Sequence, residues 1–258
     1  RTFFRLYPEE YGPRLFELLG WEGGRGVKRF EHTAMTEGAP VLSVRDLHFP
    51  ALPPMTFDIR RGEIAFLRDE NYNTGRRLHE CFLGDRGWTS GFFRLNGRRY
   101  QPGDHGRVIG SEVGIQIERP DRPGGVLFDN MTALDNLCTS LIPKAGQHII
   151  RKKIVSSILS EALRWFPKEM LLQPLSSWSY PERLRFSYYR WYLLNPRLLI
   201  CFFPFAGQES THHKMIIDLL VLCAQRGMAV WIISSGIDAI CEKTDNEEFL
   251  RRLHYLNK

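Results

Sequence analysis

The stretch that decides the fold is Glu63-Ile64-Ala65-Phe66-Leu67, followed by Arg68-Asp69-Glu70-Asn71-Tyr72-Asn73-Thr74-Gly75-Arg76-Arg77 and then by Leu78 to Leu83 before Gly84. A short apolar run is a strand, the polar decad after it a turn, and residues 78–83 read as a helix that the glycine ends. Upstream, 41–49 (VLSVRDLHF) and 55–69 (MTFDIRRGEIAFLRD) alternate as strands with a turn at Arg61-Gly62, and 91–100 (GFFRLNGRRY) forms a hairpin about Asn96-Gly97. Downstream, 149–166 (IIRKKIVSSILSEALRWF) has helical spacing and is closed by Pro167, within a helical region from Asn136 to Met170. A second helix is expected from Pro181 to Leu194. The unbroken apolar runs 198–203 (LLICFF) and 228–234 (MAVWIIS), separated by the helical stretch 214–227, are strands of a parallel sheet covered on both faces. The expected class is α/β, with a mainly parallel core sheet, antiparallel strands near the N-terminal end and a helical subdomain at about 136–180.

A strand-to-helix turn in such a fold gathers anions on backbone N–H groups at the helix N-terminus. A phosphate-binding loop would read G-x-x-x-x-G-K-[ST]: glycines wrap the phosphates, lysine binds them and the hydroxyl holds magnesium. Here Asp69 and Thr74 stand at the glycine positions, Gly75 at the lysine and Arg76 at the hydroxyl residue. Asp69 and Glu70 at the mouth would repel a triphosphate, and Arg76 and Arg77 would attract an anion without orienting it as a lysine does. Tight magnesium-ATP binding is not expected; looser anion binding stays open, and no cofactor is firmly implied.

Composition narrows the function classes. With 258 residues, 43% hydrophobic and 25% charged, the chain has the makeup of a folded domain. Five widely spaced cysteines suggest neither a disulfide framework nor a zinc site, so a reducing, cytoplasmic compartment is expected. No apolar stretch is long enough to span a bilayer. The net charge of +6 is scattered rather than striped with aromatics, which speaks against a nucleic-acid partner. Residues 3–20 have roughly helical spacing and end at a glycine-rich run, so 1–40 is read as a leader or linker helix and 41–258 as the main domain.

The order of these segments resembles the ATP-binding domains of ABC transporters, and in particular the second half of the tandem ATPases of sugar import. Val41 to Leu47 is similar to the opening strand, Ile59-Arg60-Arg61-Gly62-Glu63-Ile64 to the entry of the phosphate-loop strand, and Gly91 to Gly97 to the hairpin after the first helix. Val113 to Arg122 with Met131 to Leu137 resembles that subfamily's G-I-x-x-P-E-D-R and M-S-V-x-x-N-L, and Arg190 to Ile200 its R-W-L-x-x-x-P-x-L-L-I. The resemblance implies Mg-ATP hydrolysis between head-to-tail paired domains on membrane permease subunits, at the inner face of the cell membrane.

Its functional positions have changed together. The resemblance places Phe202 and Phe203 where Walker B supplies aspartate and glutamate, leaving magnesium without a carboxylate and water without a general base. The signature loop reads Trp178-Ser179-Tyr180-Pro181, retaining only Ser179. Ser235 falls at the switch position, Glu118 at the loop that senses the phosphates, Glu209 at the D-loop acid, and His48 or Phe49 where a ring would stack on adenine. Asn71 and Asn73 complete the residual site positions. The simpler readings are set beside these. Phe202 and Phe203 end a buried strand, His212-His213 is a polar helix start rather than a metal site, and the aromatic run Tyr188, Tyr189, Trp191, Tyr192 is packing. The expectation is a non-hydrolysing cassette half that supports a partner ATPase domain and a permease. The alternative is a regulatory or interaction module on the same fold, serving as a nucleotide sensor.

Overall fold

The computed structural model describes residues 38–118, 127–145, 152–206 and 210–256. The helix expected within 1–40 and the acid expected at Glu209 lie outside the described residues.

Two sheets form the frame. Strands β1 (Leu42–His48), β2 (Met55–Ile59), β4 (Ser90–Leu95) and β5 (Arg98–Tyr100) make an antiparallel sheet in the order β2-β1-β4-β5. Strands β3 (Ile64–Arg68), β6 (Val113–Ile117), β7 (Leu198–Phe202), β8 (Ala229–Ser234) and β9 (Leu253–Tyr255) make a parallel sheet in the order β6-β7-β8-β3-β9. The helices are α1 (Asn73–Leu83), α2 (His105–Val108), α3 (Ala133–Ala145), α4 (Lys152–Ala162), α5 (Lys168–Leu171), α6 (Tyr180–Leu194), α7 (Ser210–Gln225), α8 (Asp238–Cys241) and α9 (Glu247–Arg252).

The continuous apolar strands divide their side chains between two cores, because successive residues of a strand point to opposite faces. Ile64, Phe66, Leu199, Cys201, Val230 and Ile232 face the core built with α6 and α7. Their neighbours Ala65, Leu67, Ile200, Phe202, Trp231 and Ile233 face the other core, which holds Leu42, Val44 and Phe93 of the antiparallel sheet and Leu78 and Phe82 of α1. Trp231 meets Phe57 edge-on at 5.2 Å, locking the sheets together. Tyr188, Tyr189, Trp191 and Tyr192 are buried as expected.

Some elements differ from the sequence reading. Helix α1 begins at Asn73 instead of Leu78, for a reason found in the loop before it. Helix α4 ends at Ala162, and residues 163–166 turn into Pro167, which disfavours helix at the residue before it. Strand β9 was not expected: three residues are too short to show a period. It pairs with β3 after α9, and Arg252 fastens this end by donating to Gly62 O at 2.8 Å and to Glu248 Oε1 at 2.7 Å.

Candidate functional site

The carboxyl ends of β3, β7 and β8 meet at one edge of the parallel sheet, and the loop 69–72 rises from β3 into α1. Asp69 N–H donates to Ser234 O at 2.8 Å, and Phe203 N–H to Ile233 O at 2.8 Å, so the three strand ends are tied directly to one another. Helix α1 then presents its first amides toward the loop, the arrangement that receives phosphate in nucleotide-binding folds.

That cradle is filled from within. Asp69 is 5% exposed, and its carboxylate turns back over the helix start. Oδ2 accepts from Gly75 N–H at 2.7 Å and Oδ1 from Thr74 N–H at 3.2 Å. These charge-assisted bonds satisfy two of the amides a helix leaves unpaired, which is why α1 starts before its first apolar residue. The sequence placed Asp69 at the mouth, repelling phosphate; it lies inside, its two carboxylate oxygens bonded to the first amides of α1.

The room for a lysine is closed as well. A β-carbon at position 75 would lie 2.8 Å from Phe203 Cζ, 3.0 Å from Asp69 Oδ2 and 3.2 Å from Ile233 Cγ2. Phe203, with φ 53°, swings its ring across the loop, where Tyr72, with φ 57°, packs on it at a centroid distance of 4.6 Å. Phe202 is buried in the core, its ring against His79 at 5.4 Å. Aromatic rings thus stand at the ends of β7 where the resemblance would put metal-binding and base carboxylates. A magnesium-bound triphosphate does not fit this cradle: the amides of Thr74 and Gly75 are taken by a carboxylate, and its lysine room by a phenyl ring.

Beside the cradle lies an open cleft of about 670 Å³, lined by Leu52, Pro53, Arg68, Asp69, Glu70, Asn71, Asn73, Thr74 and Tyr255. The expected Asn71, Asn73 and Thr74 therefore share one surface. Arg68 pairs with Asp238 and approaches Glu70 at 3.7 Å. Arg76 and Arg77, expected to attract an anion, do not line the cleft, and Arg77 pairs with Glu80 one turn along α1 at 3.2 Å. Phe49 is a correction: at 1% exposure it belongs to the core beneath the sheets and has no face for an adenine ring, while Leu52 and Pro53 reach the cleft.

The remaining positions do not line the cleft. Glu118 is 3% exposed and turned inward, accepting from Gln116 Nε2 at 2.7 Å; Gln116 also donates to Ser187 and accepts from Trp191 Nε1 of α6. This buried network was not foreseen, since a glutamine inside an apolar strand shows nothing of its partners in sequence. Ser179 precedes α6, and its hydroxyl donates to Glu182 at 2.6 Å while its N–H donates to the same oxygen at 2.8 Å. Ser235 is exposed just past β8. The Tyr72–Phe203 contact and the inward turn of Asp69 were also missed, and only the aspartate six residues before a helical glycine hinted at either.

The architecture is that of an ATP-binding cassette. It matches a solved cassette from Clostridium perfringens, cbiO1 of the ABC transporter complex cbiONQ, at a TM-score of 0.64 over 84% of this chain and 85% of that one, with 19% identity. A bacterial ABC transporter cassette solved as a dimer matches at 0.60 over 83% and 94%, with 15% identity. In sequence, its relatives include ABC ATP-binding proteins of sugar import. A putative ribose/galactose/methyl galactoside import ATP-binding protein of Pseudomonas syringae pv. tomato is 26% identical over 233 residues, 88% of this chain and 44% of that protein. A fructose import ATP-binding protein of Bifidobacterium longum is 24% identical over 92% of this chain and 48% of that one. The chain thus spans about half the length of the curated relatives it matches. No family model matches it.

Proposed function

We propose that this chain is the non-hydrolysing half of a sugar-import ATP-binding unit, working at the cytoplasmic face of a membrane as a structural support for a competent ATPase partner and for permease subunits. The observation that carries this reading is the end of β7, where Phe202 is buried in the core and Phe203 lies across Gly75. Hydrolysis of the γ-phosphate needs a metal held by carboxylates and a positioned base for water. Neither ring can serve, and the lysine position is a glycine with no free space around it. The support role draws on the relatives, whose names describe import ATP-binding proteins about twice this length. The cassette frame itself is kept: two sheets, two cores and the helices between β6 and β7. No helix among the described residues is long and apolar enough to cross a membrane.

The test is calorimetric titration of the purified chain with ATP and magnesium, combined with a phosphate-release assay. No turnover above buffer is expected, with ATP affinity weaker than about 1 mM, the upper end of ordinary enzyme–substrate constants. Micromolar binding with turnover would overturn the proposal, and binding without turnover would shift it to a nucleotide sensor.

A further inference from the structure

The disagreement between the cradle and a triphosphate has a positive side, which rests on the reading just proposed. We infer that Asp69 is a built-in phosphate surrogate: its carboxylate is the resident ligand of the loop, and it holds the loop and the start of α1 in a filled state without nucleotide. Three observations converge. The carboxylate is withdrawn from solvent, and each of its oxygens takes an amide at the start of α1. The same residue's N–H is fixed to Ser234 O at the end of β8, so the side chain is aimed by the sheet instead of by a mobile loop. Finally, the ring of Phe203, reaching over from the end of β7, fills the space beside Gly75, and Tyr72 of the loop packs on that ring at 4.6 Å. An anion at a helix N-terminus satisfies both the unpaired amides and the helix dipole. Here the chain supplies that anion itself, at the position of the first glycine of a phosphate loop, and an external phosphate would have to displace it. This is no vacant site; it is an occupied one whose occupant is covalently attached. Within a paired cassette, such a loop would keep the filled form at every nucleotide concentration.

The experiment compares wild-type protein with Asp69→Gly, which removes the surrogate and restores a loop glycine, and with Asp69→Asn, which keeps one acceptor and loses the charge. Two readouts are used on the whole chain: hydrogen exchange of the Thr74 and Gly75 amides, and binding of inorganic pyrophosphate by calorimetry. In ligand-free wild type both amides are expected to be protected, and pyrophosphate not to bind. In Asp69→Gly the two amides should exchange at least about tenfold faster and become protected again on adding pyrophosphate, which should bind at least about tenfold more tightly than to wild type. If Asp69→Gly does not fold, Asp69→Asn carries the test with the same directions and smaller changes. Freely exchanging Thr74 and Gly75 amides in ligand-free wild type would overturn the inference, as would equal pyrophosphate affinity in wild type and a folded variant. ATP turnover by wild type with these amides protected beforehand would instead overturn the non-hydrolysing reading and leave this one standing.

Discussion

Gly75 is a helical residue in the first turn of α1, and it has no left-handed φ to require a glycine. On helix propensity alone, Gly75→Ala should stabilise the protein by about 0.5–1 kcal/mol. The neighbours decide otherwise. A methyl group there would lie 2.8 Å from Phe203 Cζ, on a ring pinned by Tyr72, and 3.0 Å from a carboxylate oxygen that cannot retreat without giving up its amides. Overpacking of this kind costs about 1–3 kcal/mol, which exceeds the propensity gain. Gly75→Ala is therefore expected to lower stability by about 1–2 kcal/mol in urea unfolding, and Gly75→Lys, which writes the family's lysine back, by more and without gaining ATPase activity. In Gly75→Ala/Phe203→Ala the clash is relieved, and the alanine at 75 should cost less than it does alone. A stabilised single Gly75→Ala variant would mean that the ring is not held where the structure shows it.

At the scale of elements, the junction of α7 and α9 carries a pH dependence whose sign follows from one carboxylate. Asp218 on α7 accepts from Asn246 Nδ2 at 2.6 Å, while Asn246 Oδ1 caps α9 by accepting from Phe249 N–H at 2.9 Å. Burial pushes Asp218 up from its ordinary 3.8 to about 6, against the opposing pull of Asn246 and of Lys214. A raised carboxylate favours the folded state when protonated. The contribution is fully present below about 4 and is lost as pH rises through about 6. Asp218→Asn keeps an acceptor for Asn246 and removes the charge. It should be more stable than wild type at pH 7 by on the order of 2 kcal/mol, and the difference should shrink toward zero between pH 6 and pH 4. Denaturant unfolding at several pH values measures this, and a difference that stays flat with pH would refute it. The apolar runs of β7 and β8 announced buried parallel strands because they lack polar interruptions, and Pro167 marked the close of its helical stretch. Strand β9 and helix α9 left no such mark: they hold on through Arg252 reaching Gly62, a contact 190 residues apart that no local pattern encodes. The site divided in the same way. The residues at each motif position could be read off by position, whereas the inward turn of Asp69, the burial of Phe49 and the Gln116 network depend on tertiary packing.

For the molecule as a whole, the resemblance implies head-to-tail pairing, with each phosphate loop facing the other domain's signature loop. In such a pair a bound triphosphate would be shared across the interface and would drive closure. This chain has an attached anion on each face that would meet phosphate. Asp69 occupies the start of α1, and Glu182 occupies the start of α6, where it takes both the hydroxyl and the N–H of Ser179. A partner's phosphate approaching Ser179 would meet a carboxylate 2.6 Å from the oxygen it needs, a repulsion of several kcal/mol where water is excluded and of about 1 kcal/mol where it is not. Association of this chain should therefore be indifferent to nucleotide. Sedimentation velocity is expected to give the same distribution with and without magnesium-ATP, in wild type and in a Phe203→Glu variant that restores only the base position. Asp69→Gly/Glu182→Gln removes both attached anions and is the variant in which nucleotide should begin to alter sedimentation. A nucleotide-dependent dimer in wild type would show that the two carboxylates do not govern the interface, and that the chain closes on phosphate by another route.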